Sequence, residues 1–214
     1  MAMKQILLVD DHMVIRKGLR SLLYEYDNLM EFHEAANGDE ALAILKKNHV
    51  DLVIMDLQMG QSDSINLIEL ISIKHAQAYI LVFSMLPEKI YARRVLKAGA
   101  SGFLPKESKN EEIKKAFDNA LNRRKYLSQQ FIDLIARDPG AWSDNPFQEL
   151  SHREFEIVNM LLTGNTITSI SQYLNIRPST VGTYKARIFQ KLRVNSVFEL
   201  KEMAVVHELM PRWP

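Results

Sequence analysis

The sequence DLVIMD, residues 51–56, places four consecutive apolar residues directly before an aspartate. Similar apolar runs occur at Gln5–Val9 and Tyr79–Phe83, and weaker ones at Glu31–Glu34 and Gly102–Leu104. Runs this continuous are typical of strands that are buried on both faces of a parallel sheet. We therefore expect five strands in the first 125 residues.

Segments with helical periodicity separate these strands. In the first segment, apolar residues recur at steps of three and four, at Val14, Ile15, Leu19, Leu22 and Leu23. The other segments are Asp39–Lys47, Ile65–Ile73, Lys89–Lys97 and Glu111–Arg124. Strands that alternate with helices in this way predict an α/β domain with a doubly wound, five-stranded parallel sheet.

The character of the chain changes after Arg137. The stretch DPGAWSDNPFQE, residues 138–149, is rich in Asp, Pro, Gly and Asn and predicts a linker. The apolar residues at 131–135 are compatible with a short docking helix before it. We assign residues 1–127 to the α/β domain, 128–149 to the linker and 150–214 to a small all-helical domain.

Composition limits the possible functions. The chain has no cysteine, which excludes a disulfide scaffold and a thiolate metal site and fits a reducing cytoplasm. No apolar run approaches the roughly 18 residues of a membrane span, and the short apolar run near the N-terminus, Ile6–Val9, is too short for a signal peptide. The net charge is only +1, but residues 150–214 carry 8 basic against 5 acidic side chains, a modest basic footprint for nucleic acid.

Polar side chains stand at the carboxyl ends of four predicted strands: Asp10 and Asp11, Asp56, Ser84, and Lys106. Ligand sites in open α/β sheets gather at this edge. Clustered carboxylates favour a hard cation such as Mg2+, and an aspartate beside such a cation and a lysine can accept a phosphoryl group. Each residue alone is more often a turn former, a helix cap or a surface charge. Together they predict a phosphoryl-acceptor site.

Four stretches in the same order resemble the motifs of response-regulator receiver domains, which have a flavodoxin-like fold: ILLVDDH (6–12), LVIMDLQM (52–59), LVFSM (81–85) and GASGFLPK (99–106). The resemblance covers residues 3–125 and implies that Asp56 accepts phosphate from a cognate histidine kinase. It also implies further site residues. These are Asp10, Asp11, Asp56 and the backbone carbonyl of Gln58 for Mg2+, and Ser84 and Lys106 for the phosphoryl group.

One further position matches the family and two depart from it. Phe103, three residues before Lys106, matches the aromatic switch position of the family, although a plain core aromatic is an equally good interpretation. The family usually has Pro where Gly60 stands and Gly where Ser64 stands, both in the loop beside Asp56. Because Gly is conformationally freer than Pro, we expect a more mobile loop, which leaves the lifetime of the phosphorylated form open.

Residues 150–209 carry helical patterns only. Ser151 precedes Glu154 at the spacing of a capping box, and Gly164 suits the end of that first helix. Three further helices are predicted at Thr166–Leu174, Ser179–Leu192 and Ser196–Leu209, with a turn at 175–178. Two short helices joined by a tight turn, the second one basic, predict a helix-turn-helix whose second helix enters the major groove. A protein-interaction domain with a solvated basic face is the alternative.

The stretch from Leu150 to Val194 resembles the LuxR/NarL (FixJ) type of helix-turn-helix domain, and this favours DNA. The DNA-contacting residues it implies are Arg177, Ser179, Thr180, Gly182, Thr183, Lys185, Ala186, Lys191 and Arg193. In the family the fourth helix often pairs two domains as a homodimer on paired half-sites. Val197, Leu200, Val205 and Leu209 could serve here, and some of them must face their own core. The family commonly has Lys where Gly182 stands and His where Tyr184 stands, so its operator sequence does not carry over.

The two resemblances predict a cytoplasmic response regulator of a two-component system, not an enzyme with a separate substrate. Phosphorylation of Asp56 is expected to release the C-terminal domain or to create a dimer face, and so to control binding to promoter DNA and transcription. One alternative is a regulator that binds DNA or a partner protein without phosphorylation. Another is an aspartyl-phosphate phosphatase or other α/β enzyme, which the lack of a capping domain and of a Gly-rich phosphate loop disfavours.

Overall fold

The chain folds into two compact units. The computed structural model describes residues 3–26, 30–59, 64–137, 145–207 and 209–210. The chain divides between Pro139 and Gly140, which gives a first unit of Met1–Pro139 and a second unit of Gly140–Pro214. Within the described ranges, no helix combines the length and the apolar character that crossing a membrane requires.

The first unit is built on a five-stranded parallel sheet with the strand order β2-β1-β3-β4-β5. Its strands are β1 (Lys4–Val9), β2 (Met30–Ala35), β3 (Leu52–Met55), β4 (Tyr79–Ser84) and β5 (Gly102–Pro105). Every residue of β3 and β4 is buried, which explains their continuous apolar runs. The predicted doubly wound sheet is confirmed.

Five helices alternate with the strands: α1 (Met13–Tyr26), α2 (Gly38–Lys47), α3 (Ser64–Lys74), α4 (Glu88–Lys97) and α5 (Asn110–Leu121). The chain steps from β1 outward to β2 and then crosses back to β3, so the carboxyl ends of β1 and β3 lie side by side where the direction of winding changes. Leu8, Ile54 and Phe117 are almost completely buried in the core beneath this point. Each such side chain contributes roughly 1.5–3 kcal/mol, and this packing fixes the two strand ends.

A sixth helix, α6 (Gln129–Arg137), follows the sheet and belongs to the first unit. Its Phe131 is buried, in agreement with the docking helix that the sequence allows. A 3-10 helix at Pro146–Glu149, with Phe147 buried, begins the described part of the second unit. The stretch 128–149 that we assigned to a linker is therefore helical at both ends, and its residues 138–144 lie outside the described residues.

The described residues of the second unit form four α-helices: α7 (His152–Leu162), α8 (Ile167–Tyr173), α9 (Pro178–Leu192) and α10 (Val197–Val206). The predicted capping box is present, because the N–H of Glu154 donates to Ser151 Oγ and the N–H of Ser151 donates to Glu154 Oε2. Gly164 ends α7 with a φ of +86°, and Asn175 adopts a φ of +49° in the turn between α8 and α9. The predicted helix-turn-helix is confirmed.

The last helix is shorter than predicted. It ends at Val206, because the N–H groups of Leu209 and Met210 turn back to the carbonyl of Ala204, at 2.8 and 3.3 Å, in place of continuing the helical pattern. The predicted extension to Leu209 is wrong.

Candidate functional site

The carboxyl ends of β1, β3 and β5 bring two aspartates and a lysine together. Lys106 Nζ donates to Asp10 Oδ2 at 2.6 Å and to Asp56 Oδ2 at 2.7 Å. The side chains are 9% exposed for Lys106, 5% for Asp10 and 3% for Asp56. Charge-assisted hydrogen bonds of this length hold both carboxylates on one ammonium group. The predicted meeting of these three residues at the sheet edge is observed.

The charge state of Lys106 depends on two opposing effects. Burial alone would lower its pKa, because a site with little water disfavours the charged form. The hydrogen bonds to Asp10 and Asp56, and the charges of these carboxylates, outweigh burial and raise the pKa of Lys106 above its ordinary value of 10.5. The ammonium is therefore charged at neutral pH, where one positive group faces two carboxylates.

The second oxygen of Asp56 has no such partner. Asp56 Oδ1 is buried and accepts no hydrogen bond from any described residue. Leaving a buried acceptor unsatisfied costs about 1–3 kcal/mol, so such an atom in a cleft calls for a ligand.

Donor atoms for a cation lie at the same edge. Carboxylate oxygens of Asp10 and Asp11 and a ring nitrogen of His12 all lie within 4.8 Å of one another. His12 Nδ1 is 2.7 Å from Asp11 Oδ1, and the Asp11 side chain is 39% exposed, so this side of the cluster is open to solvent. The carboxylate oxygens of this cluster, with the Asp56 carboxylate at the same edge, are hard donors that fit a divalent cation such as Mg2+. Gln58, two residues beyond Asp56, has an exposed side chain, and only its backbone carbonyl was predicted as a ligand.

Ser84 and Phe103 lie in the neighbouring strands. Ser84 is fully buried at the end of β4, its carbonyl accepts from the N–H of Lys106 at 2.9 Å, and its hydroxyl accepts from the N–H of Leu86 at 3.4 Å. Phe103 is fully buried in β5 beside Val82. Phe103 is therefore a core aromatic in this conformation, and the roles of both residues toward a phosphoryl group remain predictions.

The loop after β3 contains the two departures from the receiver pattern. Gly60 lies outside the described residues. Ser64 starts α3, is 4% exposed, and its hydroxyl donates to the carbonyl of Leu57 at 2.9 Å. This buried hydrogen bond ties the start of α3 to the residue after Asp56. This hydrogen bond restrains the Ser64 end of the loop, whereas the greater mobility expected from Gly60 stays a prediction.

A buried carboxylate that the sequence did not reveal lies four residues after Ser84. Glu88, the first residue of α4, is 8% exposed and accepts from both the N–H of Ser128, at 2.8 Å, and the Ser128 hydroxyl. Burial raises the pKa of Glu88 above its ordinary 4.5; hydrogen bonds from Ser128 oppose this, and the charge of Glu112 adds to it. Ser128 Oγ also accepts from the N–H of Phe131 at 3.2 Å. The contact therefore joins the start of α4 to the start of α6.

In the second unit, α9 buries Val181, Ile188 and Leu192. Most residues predicted to contact DNA lie away from this buried side. Six are exposed, namely Arg177, Ser179, Thr180, Thr183, Ala186 and Arg193, and two are half-buried, namely Gly182 and Lys185. The exposed side of the helix therefore carries hydroxyls and small side chains for most of its length.

Lys191 forms an ion pair within the second unit. Its Nζ donates to Glu154 Oε2 at 2.6 Å, and the Glu154 side chain is only 5% exposed. Burial alone would raise the pKa of Glu154, but the hydrogen bonds from Lys191 and Ser151 lower it below its ordinary 4.5. A buried carboxylate therefore holds this ammonium within the second unit, and the contact of Lys191 with a DNA phosphate stays a prediction.

The dimer face predicted on α10 needs correction. Leu200 is fully buried in the core of its own unit, so it cannot lie on a dimer face, and Leu209 lies beyond the helix. Val197 and Val205 are half-buried. The exposed apolar residues of α10 are Phe198 (69%) and Val206 (73%), which were not predicted.

Comparison with known proteins agrees with this geometry. Residues 6–118 match the family described as response regulator receiver domain, and residues 148–204 match that of bacterial regulatory proteins, luxR family. The chain belongs to the response regulators. Response regulator UvrY of Escherichia coli (strain K12) is 30% identical over 210 residues, covering 97% of this chain and 96% of its own. Response regulator GacA of Pseudomonas protegens is 31% identical over 209 residues, covering 97% and 98%.

A solved structure supports the fold of this response regulator. RcsB from Salmonella enterica serovar Typhimurium, bound to promoter rprA in the presence of the phosphomimetic BeF3-, has a TM-score of 0.68 at 22% identity. The likeness covers 94% of this chain and 97% of RcsB. The family combines a receiver with a LuxR-type DNA-binding domain, so the resemblances identified in the sequence are confirmed.

Two contacts in this response regulator were beyond reach of the sequence. The Glu88–Ser128 contact spans 40 residues and the Glu154–Lys191 pair spans 37, and neither has a local pattern. His12 follows the two aspartates directly, and this adjacency was the one signal by which it could have been found.

Proposed function

We propose that Asp56 accepts a phosphoryl group from a histidine kinase and that this reaction controls binding to promoter DNA and transcription. The observation that carries the proposal is the asymmetry of the Asp56 carboxylate. Oδ2 is held by Lys106 at 2.7 Å, whereas Oδ1 is buried without a hydrogen bond from any described residue. One oxygen is thus positioned by a cation while the other is left to react.

The transfer follows from this arrangement. Asp56 Oδ1 forms a bond to phosphorus, the bond between phosphorus and the imidazole nitrogen of the kinase breaks, and that nitrogen keeps the electron pair. Lys106 offsets negative charge on the transferring group, as positively charged groups do in phosphoryl transfer. We propose no separate substrate: the only chemistry expected of the chain is gain and loss of phosphate at Asp56.

Asp10, Asp11 and Asp56, with the backbone carbonyl of Gln58, are the residues that would hold Mg2+. When bound, the cation would neutralise the charge of the phosphoryl oxygens. The donor set supports this assignment, because the carboxylates of Asp10 and Asp11 lie together at the sheet edge where Lys106 also holds Asp56.

A path for the signal starts at Ser84. Its hydroxyl could donate to a phosphoryl oxygen, which would displace it from the N–H of Leu86 and shift the loop before α4. Glu88 stands at the other end of that loop and holds the N-terminus of α6 through Ser128. Since α6 ends at Arg137, just before the boundary between the two units, a shift of this loop would be passed to the connection with the DNA-binding unit.

DNA binding is assigned to α9, which would enter the major groove as the second helix of the helix-turn-helix. Arg177 and Arg193 are exposed cations at its two ends and would contact phosphates. Phe198 and Val206 on α10 are the apolar residues that a second copy would cover, to give a homodimer on paired half-sites. We place this function in the cytoplasm, in keeping with a chain without cysteine.

A DNA titration of the intact chain tests the proposal. A duplex enriched from a random pool would be titrated at two salt concentrations, with and without Mg2+ and beryllofluoride as phosphoryl analogue. We expect roughly 5- to 150-fold tighter binding with the analogue, the usual range of coupling between sites. The Asp56→Asn variant should show no response. Equal affinity with and without the analogue would favour the phosphorylation-independent regulator, and no binding at low salt would remove the assignment to DNA.

A further inference from the structure

The exposed side of α9 carries one long side chain with a fixed set of donors. Its exposed residues at steps of three and four are Thr180, Thr183, Arg187 and Gln190. The hydroxyl of Thr183 donates to the carbonyl of Ser179 at 3.0 Å, so its only proton is engaged within the helix. Arg187, one turn further on, has five N–H donors in a planar fork.

The other cations of α9 are engaged within the second unit. Lys185 Nζ lies 5.2 Å from the ring centroid of Phe189, a cation–π contact, and Lys191 is paired with Glu154. The side chain of Arg187 has no ion pair, hydrogen bond or ring contact with any other described residue. Among the described residues of α9, it is thus the cation that remains available to a partner.

The residues that precede Arg187 favour close approach of the helix to DNA. Gly182 has no side chain and Ala186 only a methyl group, so neither can donate to a base. The position of a Cβ at Gly182 has no heavy atom within 4 Å, which leaves open space on that side of the helix. These two positions flank the exposed side of the helix and do not lie in the row of Arg187, and their small side chains let the backbone approach a groove whose base edges the long Arg187 side chain can reach.

We propose that Arg187 is the specificity-determining residue of α9 and reads a guanine in the major groove through paired hydrogen bonds to O6 and N7. This pairing matches the fork of a guanidinium and is the commonest specific contact between proteins and DNA. This inference rests on the proposed function, DNA binding through α9. The family commonly has a lysine where Gly182 stands, and here Arg187, at a different position of the helix, would supply the cation instead.

The test uses the full chain with beryllofluoride and Mg2+. Duplexes are enriched from a random pool, and each G·C pair of the enriched duplex is then replaced in turn by A·T. For the wild type, one replacement should weaken binding roughly 5- to 150-fold. Arg187→Ala should bind both duplexes equally at that position, and Arg187→Lys should discriminate less than the wild type because an ammonium lacks the rigid planar fork of a guanidinium. Unchanged circular dichroism would show that each variant is folded.

Arg177→Ala is the matched control, because it also removes one exposed cation. It should weaken binding to all duplexes alike and keep the wild-type preference for guanine. The proposal is overturned if Arg187→Ala discriminates at every guanine as the wild type does, or if no guanine replacement matters. DNA binding with no base preference would refute the role of Arg187 alone, whereas no binding to any duplex at low salt would also remove the proposed function.

Discussion

Replacing Lys106 by methionine removes the one cation that holds two buried carboxylates in the pocket. Methionine keeps an unbranched apolar stem of similar length, so packing changes little, but the ammonium that lies 5.9 Å from the ring centroid of Phe83 is lost. Two charge-assisted hydrogen bonds, at 2.6 and 2.7 Å, are lost. Removing one partner of a buried ion pair costs about 3–5 kcal/mol of unfolding free energy. The neighbouring Asp11 side chain is 39% exposed, so water reaches this site. We therefore expect Lys106→Met to lower the free energy of unfolding by about 3 kcal/mol at pH 7 without Mg2+.

The same variant should respond more strongly to Mg2+. With no ammonium competing for Asp10 and Asp56, the cation should bind more tightly, and a ligand at 100 times its Kd stabilises the folded state by about 2.7 kcal/mol. The assay is urea unfolding with and without Mg2+. Lys4→Met is the control, because Lys4 is 43% exposed and its contact with Asp51 is 3.4 Å long, so the loss should be under about 1 kcal/mol.

Two outcomes would refute this reasoning about Lys106. One is a loss below about 1 kcal/mol, as for an exposed pair. The other is equal stabilisation of the wild type and Lys106→Met by Mg2+, which would mean that lysine and metal do not share the same carboxylates.

Three further perturbations test other contacts. Lys191→Met should lower the free energy of unfolding by about 1 kcal/mol, because its ion pair with Glu154 is partly exposed. The pKa of Glu154 is lowered in the folded wild type, so the stability that this pair adds is present above pH 4.5 and lost as pH falls through the folded pKa. Acid unfolding of the variant that is the same as that of the wild type would contradict this. The pKa of Glu88 is raised in the folded state, so its protonation adds stability that is present below pH 4.5 and lost as pH rises through the folded pKa. In urea titrations, the free energy of unfolding of the wild type should therefore rise relative to that of Glu88→Gln as the pH is lowered from 7 to 5. A difference between the two that does not change with pH counts against this. Phe198→Glu should weaken dimerisation on DNA, seen by sedimentation, without changing stability, whereas Leu200→Ala should cost about 2–5 kcal/mol; the reverse pattern would put the dimer face elsewhere.

Much of the α/β fold could be predicted because buried strands leave a direct trace in sequence. The runs that became β3 and β4 are apolar throughout, since helices cover both faces of the sheet. The edge strand β2 was harder: its Glu31 is exposed and three of its six residues are half-buried, so its apolar pattern is interrupted. Its observed bounds, Met30–Ala35, are one residue wider at each end than the predicted ones.

The candidate site was predictable as far as strand ends determine it. Asp10, Asp56 and Lys106 each follow a strand, and parallel strands bring their ends to one edge. The dimer face was not predictable in the same way. Apolar residues occur on all sides of α10, at positions such as Phe198, Leu200 and Val206, so helical phase alone does not show which side faces the core.

The most direct test of the central claim is where a phosphoryl group attaches. The intact chain would be incubated with an acyl phosphate, a small phosphodonor, with and without Mg2+, and the modified residue located by peptide mass spectrometry. We predict a single phosphoryl group on Asp56, formed only with Mg2+, and none on Asp56→Asn. Attachment at another residue, or equal modification of Asp56→Asn, would contradict the assignment of this pocket as the phosphoryl acceptor.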